Sequence, residues 1–175
     1  MPVTIVTPPD AAANSYVNLA DAEIYHESIL NNTEWTAALD DTKNRALVMA
    51  TRLLEPNLWK GTKTDTLADN ALSWPRFEVF NSDGQELDGN TVPEILENAT
   101  AQLAFELIKT DRITDVGASK AAGVKVAKVG PLEIENFEGD NDGSYLAPIP
   151  VQVYEMISPL LAAGYGRGVA QLIRG

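Results

Sequence analysis

The chain has 175 residues, no cysteine, and 25 acidic against 13 basic residues, for a formal net charge of −12. That length suffices for one domain with a sizeable core, and 45% apolar residues exclude wholesale disorder. The absence of cysteine excludes disulfide staples, thiolate metal sites and a cysteine nucleophile, while the acidic balance opposes grip on a phosphate backbone, which needs cations.

Met1-Pro2-Val3-Thr4 lacks the basic and apolar regions of a signal peptide, so none is expected. No apolar run approaches the ~18 residues of a membrane span. Residues 1–14, with Pro8-Pro9, read as an extended N-terminal arm. A first helix starts near Asn18, with Asp21 three residues on as a partial capping box. Its apolar stripe runs through Leu19, Ala22, His26 and Ile29. A second helix covers residues 41–54, with Leu47, Ala50 and Leu54 on one face, and Pro56 ends it.

Residues 57–92 form a stretch longer than ordinary connections, and such loops are functional or disordered. Its aromatic residues Trp59, Trp74, Phe77 and Phe80 argue for an ordered loop pinned to the rest of the chain. Two roles are open for Trp59, Trp74 and Phe77: anchors of the loop on the core, or interface anchors together with Arg76, since Trp and Arg are enriched in binding hot spots.

Pro93 opens a third helix with Glu94 and Glu97 in its first turn, where the helix dipole favours anions. Leu96, Ala99, Leu103 and Leu107 form its buried stripe, widened by Ile95, Phe105 and Ile108. Residues 124–137 read as a β-hairpin: Val124, Val126, Leu132 and Ile134 alternate with polar positions around the turn Gly130-Pro131. A lone two-stranded hairpin is marginal in water, so its apolar face must rest on helices or on another molecule. Between Lys128 and Arg167 there is no basic residue, while Glu133, Glu135, Glu138, Asp140, Asp142 and Glu155 fall there. This run is either a solvated face or a surface that lies near nucleic acid without sticking to it.

A fourth helix begins near Pro150 with Val153, Ile157, Leu160 and Leu161 inward, bent or split by Pro159 and stopped near Gly164. Residues 164–175 form a second arm, either a frayed tail or a segment that orders on docking. Tyr165, Val169, Leu172 and Ile173 give it apolar character, and Arg167 and Arg174 are its only charges. The fold expected is therefore mainly α: a helical bundle of about four helices with a long aromatic-containing loop, one β-hairpin and extended terminal arms. The bundle domain spans residues 15–163.

The search for chemistry is nearly empty. His26 is the only histidine, on the apolar stripe of the first helix, where a satisfied core residue is the commoner outcome than a ligand or base. No Ser or Thr pairs with it by spacing, and no glycine-rich phosphate loop occurs. Glu138-x-Asp140-x-Asp142-Gly143 faintly resembles a calcium loop, but it opens on Glu and has Ile149 at the position of the bidentate Glu, so it reads as an acidic turn. Neither a cofactor nor an enzymatic activity is expected.

Several motifs occur in a recognisable order. Asn14-Ser15-Tyr16-Val17 precedes an Ala/Asp-rich helix, and Arg45-Ala46-Leu47, Ala50-Thr51 and Leu53-Leu54 mark the next. Trp59-Lys60-Gly61, Leu72-Ser73-Trp74-Pro75-Arg76, Val92-Pro93 opening a helix with Ala99 and Ala104, Lys128-Val129-Gly130-Pro131-Leu132 and Pro159-Leu160-Leu161 follow. Together, across about residues 14–163, they resemble the head–tail connector (adaptor) proteins of tailed bacteriophages, a group also described as DnaT-like and single-stranded-DNA-binding.

The resemblance implies a helical subunit of a ring of about twelve copies beneath the portal, extending the DNA channel and attaching the tail. It places the protein in the virion neck after synthesis in the host cytoplasm, with portal and a tail or nozzle protein as partners and no membrane. It implies portal docking through Tyr165, Arg167, Val169, Leu172, Ile173 and Arg174. Trp59, Trp74, Arg76, Phe77, Val124, Val126, Leu132 and Ile134 become candidates for subunit or tail contacts. Glu133, Glu135 and Glu138 become candidates for the channel wall, repelling DNA so that it slides. The alternative is a single-stranded-DNA-binding module of a phage or prophage.

Overall fold

The computed structural model describes residues 2–64, 70–81, 83–110, 127–129, 132–134 and 148–162. It is mainly helical. Five helices, α1 (Leu19–Glu27), α2 (Thr33–Ala37), α3 (Asp40–Leu54), α4 (Glu94–Lys109) and α5 (Val151–Ile157), account for most of the ordered elements. A 3-10 turn, Ser158–Leu160, follows α5 directly.

α1 starts where its cap predicts: the Asn18 side chain accepts from the Asp21 amide at 2.9 Å. Its buried residues are Ala22 and His26 alone. α3 buries Ala46, Leu47, Ala50, Thr51 and Leu54 along one face, the helical period of its sequence. The short α2 has no counterpart among the expected helices, and it delivers Trp35 to the core at 1% exposure.

α4 is the axis of the molecule. It packs along α3 and also contacts α1, α2 and α5. Its buried set runs Leu96, Ala99 and then every residue from Thr100 to Phe105, so this helix is enclosed on more than one side. Ala99, Ala101 and Ala104 are fully buried, and small side chains there let neighbouring helices approach. Pro93 stands one residue outside α4 as its N-cap. Pro159 converts the end of α5 into the 3-10 turn rather than allowing the helix to continue.

The loop between α3 and α4 is ordered by its own pairing. β1 (Thr62–Lys63) and β2 (Arg76–Phe77) pair antiparallel, with Thr62 opposite Phe77 and Lys63 opposite Arg76. This small ladder was not expected from the sequence, because two-residue strands carry no periodicity. Gly61 turns into it at φ +68°. A methyl group at Gly61 would land on the Phe77 carbonyl oxygen. The hairpin expected at residues 124–137 appears as β3 (Ala127–Val129) and β4 (Leu132–Ile134), with Ala127 opposite Ile134, Lys128 opposite Glu133 and Val129 opposite Leu132.

The N-terminal stretch is extended and lies on the body. Val3 donates its amide to Asp41 Oδ1 at 2.9 Å, and Asn44 Nδ2 donates to the Val3 carbonyl at 3.1 Å.

Leu103 is fully buried at the centre of α4. Leu103→Ala should destabilise the fold by about 2–5 kcal/mol, measured as a fall in the urea midpoint with an unchanged slope.

Candidate functional site

The motifs that stand out in the sequence converge on one junction. Glu55 caps the C-terminal end of α3. Its carboxylate accepts from the Tyr16 hydroxyl, from the Ser73 amide at 3.1 Å and from the Ser73 hydroxyl at 2.9 Å. Tyr16 is fully buried; burial and then the Glu55 charge push its hydroxyl far above the ordinary tyrosine range, so it stays a proton donor. The Tyr16 amide also donates to Thr51 Oγ1 at 3.2 Å. One carboxylate thus ties the chain before α1, the end of α3 and the Leu72–Arg76 motif together.

Arg76 makes the second tie. Its guanidinium donates to the carbonyls of Lys60 at 2.6 Å, Gly61 at 2.7 Å and Ser73 at 3.2 Å. Lys60 then reaches the far end of the sequence: its amide donates to the Leu160 carbonyl at 2.9 Å and its Nζ to the Pro159 carbonyl at 2.7 Å. Trp59 bridges Leu161 antiparallel, and the Ala162 amide closes onto the Leu58 carbonyl at 2.8 Å.

Of the two roles open for the loop tryptophans, the core role is the one the structure displays. Trp59 is 6% exposed and Trp74 fully buried, with their rings edge to face at 5.8 Å. They are not available as surface anchors, because the chain's own loop closes over them. Arg76 is spent on backbone carbonyls, and Phe77 alone of that group keeps 38% exposure. Leu132, Glu133 and Ile134 lie on β4. Val124, Val126, Glu135, Glu138 and the arm residues Tyr165, Arg167, Val169, Leu172, Ile173 and Arg174 lie outside the described residues.

His26 is a core residue. Its ring stacks 4.0 Å from Trp35, and Nε2–H donates to the Ala101 carbonyl at 3.1 Å, while Nδ1 has no partner. Burial lowers its pKa, which keeps the ring neutral and fits that tautomer. Beside it, Lys43 Nζ meets Glu23 at 2.6 Å and Trp35 Nε1 donates to the same carboxylate at 3.1 Å. Burial alone would raise Glu23, but the hydrogen bonds from Lys43 and Trp35 outweigh it and hold it below its usual range. Among the described residues no group of His, Asp and Glu could hold a metal ion.

Two surface features were missed in the sequence. An acidic cleft of about 490 Å³ between α1 and α4 is lined by Asp21, Glu94 and Glu97; burial and those two neighbouring carboxylates raise Glu97. An apolar groove of about 340 Å³ lies between the loop before α4 and the 3-10 turn, lined by Phe80, Leu87, Pro93, Ile95, Pro159 and Leu160 with Asp88 and Glu94 at its rim. Phe80 and Ile95 were legible as apolar, but nothing local says that the two would meet on a surface.

Arg76→Lys keeps the charge and loses the fork that reaches three carbonyls; it should cost about 1–3 kcal/mol, seen in the thermal midpoint. His26 gives a pH signature. The unfolded chain protonates its histidine near 6.5, above the folded value, so this group's contribution is retained above that pH and lost as the pH falls below it. The stability difference between His26→Phe and the parent chain should therefore shift in favour of the variant between about pH 7.5 and about pH 5.5. Urea titrations at the two pH values measure that change.

A family model described as "Putative DnaT-like ssDNA binding protein" matches residues 3–175. No curated protein and no solved structure matches the chain. The match covers the α3 and α4 scaffold, the Glu55 and Arg76 junction and the groove alike, and the chain belongs to this DnaT-like family.

Proposed function

We propose that the chain is a non-catalytic connector subunit of a tailed bacteriophage, one copy of a ring beneath the portal that prolongs the DNA channel and holds the tail. The observation that carries this reading is where the cations go. Lys43 and Lys109 face Glu23 and Glu106, and Arg45 faces Asp41. Lys60, Lys63 and Arg76 donate to backbone carbonyls. On a chain of net charge −12, this leaves Arg52 as the exposed basic side chain of the helices that has no such partner among the described residues.

Such a body repels the phosphate backbone instead of holding it. That suits a wall along which DNA moves. Leu30 at 98%, Leu39 at 77% and Ile24 at 65% exposure are apolar surface that neighbouring copies would cover.

The family description favours a second reading, a single-stranded-DNA-binding module. Beside Arg52, its phosphate contacts would draw on Lys128 of β3 and on Arg112, Lys120, Lys125, Arg167 and Arg174, which are outside the described residues. It would also need aromatic faces for the bases, and Trp35, Trp59 and Trp74 are buried.

Titration of a fluorescent oligothymidine with the full chain at low salt separates the two. The connector reading expects no saturable binding, together with co-purification of the cognate portal protein. Tight binding whose logarithm falls with log salt by about 0.7 per neutralised phosphate would overturn it in favour of the DNA-binding module.

A further inference from the structure

The apolar groove beside α4 has no occupant in the described chain. Phe80 at 50% and Ile95 at 36% exposure face it, with Leu87, Pro93, Pro159 and Leu160 completing its walls. Its rim is acidic: Asp88 and Glu94 are exposed, and among the described residues no basic one lines it. Asp88 is kept ionised by the Asn90 amide, the Asn90 side chain and the Thr91 hydroxyl. The matching ligand is a peptide with apolar side chains flanked by cations and free of acidic side chains.

Residues 164–175 have that composition. They carry Tyr165, Val169, Leu172 and Ile173, with Arg167 and Arg174 as the only charges. In a chain of net charge −12 most of the surface would repel a like copy, and this stretch is an exception. The described backbone fixes the direction in which the chain approaches this segment. Leu161 and Ala162 run antiparallel to Leu58 and Trp59, so the chain travels about 3.3 Å per residue from Pro159, at the groove, towards Leu58.

We propose that residues 164–175 of one copy dock in the Phe80–Ile95–Leu160 groove of a second copy, with Arg167 and Arg174 against Asp88 and Glu94. A segment and a groove are different patches, so the contact is heterologous and propagates from copy to copy, closing a ring when the rotation allows. The portal, the partner implied for this arm by the family resemblance, becomes a competing occupant. The inference holds whether the assembled protein passes DNA or binds it.

The chain has no cysteine, so a single engineered pair reports cleanly. Full-length Ile95→Cys carrying an affinity tag is mixed with full-length untagged Leu172→Cys and oxidised. The expected product is a tagged–untagged disulfide dimer, lost at high salt and lost when Glu94→Lys is added to the Ile95→Cys chain. Phe80→Cys, at another wall of the groove, serves as a second reporter should Ile95→Cys misfold. If the doubly substituted chain closes only within itself and the mixture gives no dimer, the groove holds its own tail and the proposal is overturned. Absence of any link in either format overturns it as well. Neither failure touches the oligothymidine result, so this contact and the proposed function fall separately.

Discussion

A single carboxylate holds three distant parts of the chain in register. Glu55 ends α3, receives the Tyr16 hydroxyl from the segment before α1, and takes both the amide and hydroxyl of Ser73 from the long loop. Each donor is partly or wholly withdrawn from water, so an unpaired Glu55 or Tyr16 would carry the full cost of desolvation. Arg76 extends the same logic by drawing the Lys60–Gly61 backbone onto the Ser73 turn. Once those residues are placed, the Lys60 amide and ammonium have defined positions to receive the Leu160 and Pro159 carbonyls. The loop is long, yet it behaves as part of the core because polar ties and two buried indoles act together.

This arrangement explains what the conspicuous motifs do in the fold. Tyr16, Trp59, Ser73, Trp74 and Arg76 look like site residues in one dimension, since aromatic and basic residues at loop positions often bind something. Folded, they are consumed by one another. What is left for partners is the outer surface: the acidic cleft, the apolar groove and scattered exposed leucines. The tension between a family description that speaks of single-stranded DNA and a body most of whose described cations face carboxylates or carbonyls is therefore physical.

Legibility in the sequence followed the length and periodicity of each element. α3 and α4 repeat their apolar positions over several turns; both ends of α3 and the start of α4 were placed within a residue. The Asn18 cap marked α1, and Pro159 marked the break after α5. α2 was invisible because five residues hold barely more than one turn, and its single buried residue, Trp35, has no partner in period. The β1–β2 ladder was equally silent. His26 was readable as a core residue because it sits on the apolar stripe, although its stacking on Trp35 depends on the α2 that was not seen. The groove was out of reach of pattern reading, since Phe80, Ile95 and Leu160 come from three separate segments.

The antiparallel seam between Leu58–Lys60 and Leu160–Ala162 has a mechanical consequence. Its hydrogen bonds, from the Lys60 amide to Leu160 and from the Ala162 amide to Leu58, lie across the direction of the chain. A load applied through the residues that follow Ala162 would strain them in shear, all at once, instead of peeling them apart in turn. The Lys60 ammonium on the Pro159 carbonyl adds a further link in parallel. Tension is then shared with Trp59 and, through Arg76, with the buried loop before it reaches α5. The seam makes the far end of the bundle an anchorage, suited to a segment that is held from outside.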